Sequence, residues 1–230
     1  MAKRPVFSPC RAYVGVEEKL IEFKWHSGFA VSQKQQSIQS LHQEAQVFGY
    51  SDLLEISSKS EQDIGVALSA FNLKITTKKH KRSFSVESAF QGSKVFENGG
   101  PYTDLFMQDS LTAKRDIRIK SSGNVVGFKF FGKTFPNEPR TYFYDWLYIN
   151  ALVQNEDLCS SINDFGGFTD IEFNPEKSIN CQAHSVALYE SLKYNNVLQR
   201  AMKSPEDFLE LTREHYRHQK RNVTVQNRMF

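Results

Sequence analysis

An α+β fold, a predominantly helical single domain with short N-terminal strands and a small hairpin, is what the spacing of apolar residues predicts for this 230-residue chain. Three observations carry that expectation. Apolar positions recur at three- and four-residue steps over most of the length, as one-sided helices require. Strict alternation is confined to an early run, Leu20-Ile21-Glu22-Phe23-Lys24-Trp25, the pattern of a half-buried strand. Gly, Asn and Pro gather between the periodic segments. Residues 1–60 read as a strand and helix extension packed on a core of residues 61–230, and neither part has a linker composition.

Taken in order, Gly15 and Gly28 mark turns around the strand region from Val6 to Phe29. A helix follows from Gln33 to Val47, with Ile38, Leu41, Ala45 and Phe48 as its apolar stripe. Leu53 to Ser57 is a short strand, and Ser60-Glu61-Gln62-Asp63 opens a helix through Ala67. Beyond Leu68-Ser69-Ala70-Phe71-Asn72 comes a basic run, Lys74 to Arg82, with five Lys or Arg and His80. Ser83 or Ser85 caps a helix from Val86 to Glu97, which Gly99, Gly100 and Pro101 end. Asp109 to Arg118 is helical, and Ile117 to Lys120 pairs with Asn124 to Phe131 as a hairpin around Ser121-Ser122-Gly123-Asn124. Glu138-Pro139-Arg140 starts a helix from Tyr142 to Gln154, Phe168 to Asn174 is extended, and Asn180 opens a helix through Tyr194. Ser204-Pro205-Glu206 caps the last helix, Glu206 to Lys220.

Composition sets the outer bounds. A hydrophobic content of 40% with 24% charged residues suits a chain that buries a core, and 19 Phe with 9 Tyr make it rich in aromatics. A net charge of +3 does not by itself argue for nucleic acid, so that claim rests on where the cations sit. Cys10, Cys159 and Cys181 form no CxxC pair, which fits a reducing, cytoplasmic compartment. The start, Met1 to Phe7, lacks an apolar h-region, and no window is long and apolar enough to span a membrane. His215 and His218 have no nearby cysteine or matched carboxylate, so no metal is expected. No cofactor is expected either.

The chemistry centres on Glu87, Phe90, Gln91 and Lys94, which spacings of three, four and seven bring to one helical face. Such a stripe is either a solvated Glu–Gln–Lys surface or a buried polar site. Phe84, Val86, Ala89, Val95 and Phe96 fill the other azimuths, and charges on a helix buried all round need partners or a task. The basic run reads as a solvated loop or as a phosphate clamp in which Lys78, Lys79, Lys81 and Arg82 neutralise a nucleic-acid backbone. Trp146 serves as core or as a ligand platform, and Asp170, Asn180 and Gln182 crowd a turn where a polar ligand or a helix cap would use them.

Val-Glu-Ser-Ala-Phe-Gln-Gly-Ser-Lys-Val-Phe, from Val86 to Phe96, resembles the signature helix of the NADAR (YbiA-like) family, and Leu68-Ser69-Ala70-Phe71-Asn72 resembles its upstream Leu-Ser-Asn-Phe motif. The segments from Tyr142, Phe168 and Ser178 resemble the NADAR branch paired as antitoxins with DarT-type toxins, over nearly the whole chain. The resemblance implies an ADP-ribosylglycohydrolase that removes ADP-ribose from guanine in single-stranded DNA. A glycosidase for a free phosphorylated ribosylamine and a non-catalytic binder of ADP-ribose or of the toxin are the alternatives. Cleavage at ribose C1 needs a proton for the leaving nitrogen and a means of capturing the anomeric carbon. Glu87 is the candidate acid/base, and Lys94 either attacks C1 of the opened sugar or serves as a charge partner. Phe71, Phe90 or Tyr102 would stack on a base, and Asn72 and Gln91 would bond ribose or base. The loop Gly99 to Asp104 would approach a phosphate with its amides and offer Tyr102 and Asp104. The chain departs from the family at Ala70, where Asn is usual, and it lacks the C-terminal Trp-Gly motif.

Overall fold

The computed structural model of the chain describes residues 1–28, 30–77 and 81–219. Strands β1 (Ala2–Pro9) and β2 (Val16–Phe23) form an antiparallel hairpin in register from Ala2↔Phe23 to Pro9↔Val16. Alternation marks β2, whose Ile21 and Phe23 are buried, whereas Lys3, Arg4 and two prolines hide β1 in the sequence. Helix α1 (Val31–Val47) lays Ile38, Leu41 and Ala45 on Val6, Ile21 and Phe23 of the hairpin. Phe48, expected on the same stripe, lies past the end of the helix and is 56% exposed.

Strand β3 (Leu53–Glu55) and helix α2 (Asp63–Ala67) follow, then a second hairpin, β4 (Lys74–Thr76) with β5 (Ser83–Ser85). Its connection carries the basic run. Helix α3 (Val86–Ser93) is shorter than expected. Lys94 leaves it with extended dihedrals, φ −63° and ψ 131°, and begins β6 (Lys94–Phe96). The ladder to a neighbouring strand prevails there over the helical pattern, which had extended to Glu97. After a 3₁₀ turn over Thr103–Met107 come α4 (Ser110–Arg115) and α5 (Ile117–Ser121), both N-capped by aspartate, Asp109 and Asp116.

The Ile117 to Lys120 strand is therefore corrected to helix, because Asp116 caps a new turn through the Arg118 amide. The third hairpin instead joins β7 (Val125–Phe130) to β8 (Lys133–Pro136), with β6 on the other side of β7. Its two-residue turn, Phe131-Gly132, has positive φ at both positions, 44° and 82°. That geometry normally calls for Asn-Gly, so the sequence did not announce it.

Helix α6 (Tyr142–Leu152) is buried nearly all round, and α7 (Glu156–Ser161) follows it. Strand β9 (Gly167–Thr169) pairs antiparallel with β1 and parallel with β3, giving the sheet order β2-β1-β9-β3. The extended run expected as far as Asn174 turns away after Thr169 because Asp170 accepts the amides of Glu172 and Phe173. Helices α8 (Gln182–Tyr194), α9 (Leu198–Ala201) and α10 (Pro205–His218) complete the chain. Helix makes up 44% and strand 20%, a mixed α+β domain in place of the helical predominance expected. The main core joins Phe7, Leu54, Ala89, Phe143, Leu147 and Val186, so α3, α6, α8 and the first sheet share one interior.

Candidate functional site

The start of α3 is fixed from three directions. Ser85 Oγ accepts the Ser88 amide at 3.0 Å, capping the helix as the sequence predicted. The amides of Val86 and Glu87 donate to the carbonyls of Leu73 and Ala70, 2.9 Å each. The Leu68–Asn72 motif and the Leu73 that follows it thus serve α3 through their backbone, supplying acceptors to amides that a helix start leaves open. That motif is itself held in place. Tyr148 donates its hydroxyl to Leu68 O, and Gln182 accepts the Ala70 amide at 2.7 Å while donating to Ile56 O.

On this anchored helix, Glu87, Gln91 and Lys94 converge although Lys94 has passed onto β6. Gln91 donates from Nε2 to Glu87 Oε1 at 2.9 Å and accepts from Lys94 Nζ at 2.8 Å. One amide therefore ties a carboxylate to an amine and keeps the two from pairing directly. Glu87 and Gln91 are buried, at 6% exposure each, and the Lys94 ammonium lies 4.7 Å from the centre of the Phe90 ring. Burial pushes the Lys94 amine down to about 8, Glu87 opposes that shift, and Lys114 adds to it.

Lys114, on α4, reaches to 3.9 Å from Glu87 Oε1 and 5.1 Å from the centre of the Phe71 ring. Lys114 was not among the site residues the sequence suggested. No spacing along the chain relates it to Glu87, and only the packing of α4 on α3 does. Tyr144 was also missed. It lies edge-on to Phe90 at 5.1 Å, and burial together with the charges of Glu87 and Asp170 holds its phenol well above the ordinary range.

The remaining expected residues divide between neighbouring and separate positions. Phe90 packs into the core against Phe128 and Phe143 with Lys94 on its face. Asn72 is exposed and donates to Val66 O. Tyr102 and Asp104 form another cluster, in which Arg118 bonds Asp104 at 2.7 Å and its guanidinium lies 4.5 Å from the Tyr102 ring centre. Trp146 packs on Phe135 at 4.9 Å as part of the aromatic core. Asp170 is buried beside Cys181, and burial with the nearby Glu55 raises its carboxyl well above the usual range. Asn180 Oδ1 is buried without a hydrogen-bond partner among the described residues, as is Ser69 Oγ next to Ala70. Lys81 and Arg82 are exposed on the β4–β5 connection, and Lys78 and Lys79 fall outside the described residues. Among the described residues no group of three or more His, Cys, Asp or Glu is placed to hold a metal ion, and no helix is long and apolar enough to cross a membrane.

Surface concavities lie elsewhere, one of about 1040 Å³ lined by Tyr13, His184 and Gln219, and a smaller one of about 350 Å³ lined by His42, Glu55 and several glutamines. Over α3, Lys114 is what approaches both the Glu87 carboxylate and the Phe71 ring. The fold and this face define an α+β domain carrying a buried carboxylate, a bridging amide and an amine of lowered basicity, a constellation equipped for proton transfer and nucleophilic attack. The chain belongs to the family of DarT1-associated NADAR antitoxins, whose model matches residues 2–222. NADAR proteins are generally associated with glycosidase-type hydrolase activity. Comparison with curated proteins finds no match.

Proposed function

We propose that the chain is an ADP-ribosylglycohydrolase that removes ADP-ribose from guanine bases of DNA, and that it acts in this way as antitoxin to a DarT-type DNA ADP-ribosyltransferase. The observation that carries the reading is the Glu87–Gln91–Lys94 array, with Lys94 held at about 8 by burial. At pH 7 an amine of that basicity is neutral about a tenth of the time, against about one part in three thousand at the ordinary value of 10.5. A neutral amine is what attack on C1 needs.

The ring oxygen takes a proton from solvent as its bond to C1 breaks, and the sugar opens to a protonated imine between C1 and the guanine nitrogen. Lys94 Nζ adds to C1 as the imine bond shifts onto that nitrogen. Glu87 takes a proton from the new ammonium and delivers it to the guanine nitrogen, and the C1–guanine bond then breaks. The base leaves as an unmodified amine, and a protonated imine joins C1 to Lys94. Water adds to C1, Lys94 departs, and free ADP-ribose closes its ring. Ser69 Oγ and Asn180 Oδ1, buried without hydrogen-bond partners among the described residues, are groups a sugar or base could satisfy.

The test is incubation with an oligonucleotide bearing ADP-ribosyl guanine. Wild type releases ADP-ribose, Lys94→Ala and Glu87→Gln do not, and borohydride traps a covalent adduct that maps to Lys94. Circular dichroism establishes that both variants fold. Intact substrate after incubation with wild type, with tight binding, overturns the reading in favour of a non-catalytic binder.

A further inference from the structure

A groove separate from the Glu87 face lies between the tips of two hairpins and the 3₁₀ turn, with a volume of about 500 Å³. Its floor is aromatic. Phe84 stacks on Phe106 at 5.3 Å with 25° between ring planes, and Phe131 stacks on Phe84 at 6.0 Å and 16°. Arg82, from the β4–β5 connection, and Lys129, from β7, both exposed, line it together with Met107, and among the described residues no carboxylate does.

Phe131 is the unusual member. It occupies a turn position at φ 44°, where a bulky side chain is strained and Asn or Gly would fit without cost, yet the residue is 58% exposed. Neither turn geometry nor core burial accounts for a phenylalanine there. An exposed ring held in place by strained backbone, over an aromatic floor and between two cations, has the chemistry of a platform on which a base stacks while its phosphates meet Arg or Lys.

We propose that this groove binds an unpaired DNA strand, holding nucleotides that flank the one being processed. The choice of DNA rests on the function proposed above; the stacking and charge chemistry rest on the groove alone. Lys129 and Phe131 lie outside the basic run Lys74 to Arg82, so the strand contact extends past the loop to the β7–β8 hairpin.

Fluorescence anisotropy with an unmodified oligothymidylate tests this, because it needs no catalysis. Phe131→Asn preserves the turn and is expected to weaken binding about tenfold or more, and Lys129→Gln is expected to reduce the salt dependence by about 0.7 in slope. Duplex of the same length should bind more weakly than the single strand. Equal affinity of wild type and Phe131→Asn for the oligothymidylate overturns the proposal, as does preference for duplex, or a protein partner that docks on this face with no oligonucleotide binding there. Hydrolysis of an oligonucleotide bearing ADP-ribosyl guanine by wild type tests the catalytic reading separately: a protein that binds strand through Phe131 but leaves this oligonucleotide intact keeps the groove and loses the hydrolase.

Discussion

Replacing Gln91 by Glu changes one atom type at the point where Glu87 and Lys94 are joined, and its consequence can be worked from the geometry. The native amide donates to Glu87 and accepts from Lys94, so position 91 itself offers neither partner a charge. A carboxylate at position 91 would sit about 2.8 Å from the ammonium and favour its protonated form. If that restores the ordinary value of 10.5 in place of about 8, the neutral fraction at pH 7.5 falls from about one quarter to about one thousandth. The rate of ADP-ribose release should drop by roughly two hundredfold at pH 7.5, with the gap closing as pH rises toward 10. The assay is a pH–rate profile for Gln91→Glu beside wild type, with borohydride trapping as a second readout. A variant that keeps the wild-type rate at pH 7.5, or a profile whose alkaline limb does not move, would refute the neutral-amine mechanism.

Gln182→Ala should behave as a stability mutant, since it strands the Ala70 amide and the Ile56 carbonyl, and a loss of about 2–4 kcal/mol in urea unfolding is expected. Because Ala70 O accepts the Glu87 amide, the same variant should also slow turnover at temperatures where it remains folded. His42, held at about 4 by burial, should make the protein acid-sensitive. Its folded value lies below the unfolded 6.5, so the unfolded chain binds the proton first and stability falls as pH drops from about 6.5 toward 4. His42→Gln can still donate to Thr169 and should remove about 2–3 kcal/mol of the stability lost between pH 7 and pH 4.5, read from urea midpoints at the two pH values.

The sequence alone determined the elements that announce themselves locally. Helix α1 was legible because Ile38, Leu41 and Ala45 repeat at helical steps, and the cap of α3 because a serine precedes a buried run. The common azimuth of Glu87 and Gln91 follows from their spacing within one helix, which no tertiary contact can alter. What only the tertiary structure decided is what meets across elements. Lys94 belongs to a strand because Phe128 and Gly127 supply a ladder for residues 94 and 95, and its amine still returns to Gln91. Lys114 comes to Glu87 from another helix, Gln182 steadies Ala70 across 112 residues, and Phe131 meets Phe84 because two hairpins pack together. Periodicity records which side of an element is apolar; it carries no record of the distant element that side will face, because that is fixed by packing across the whole core.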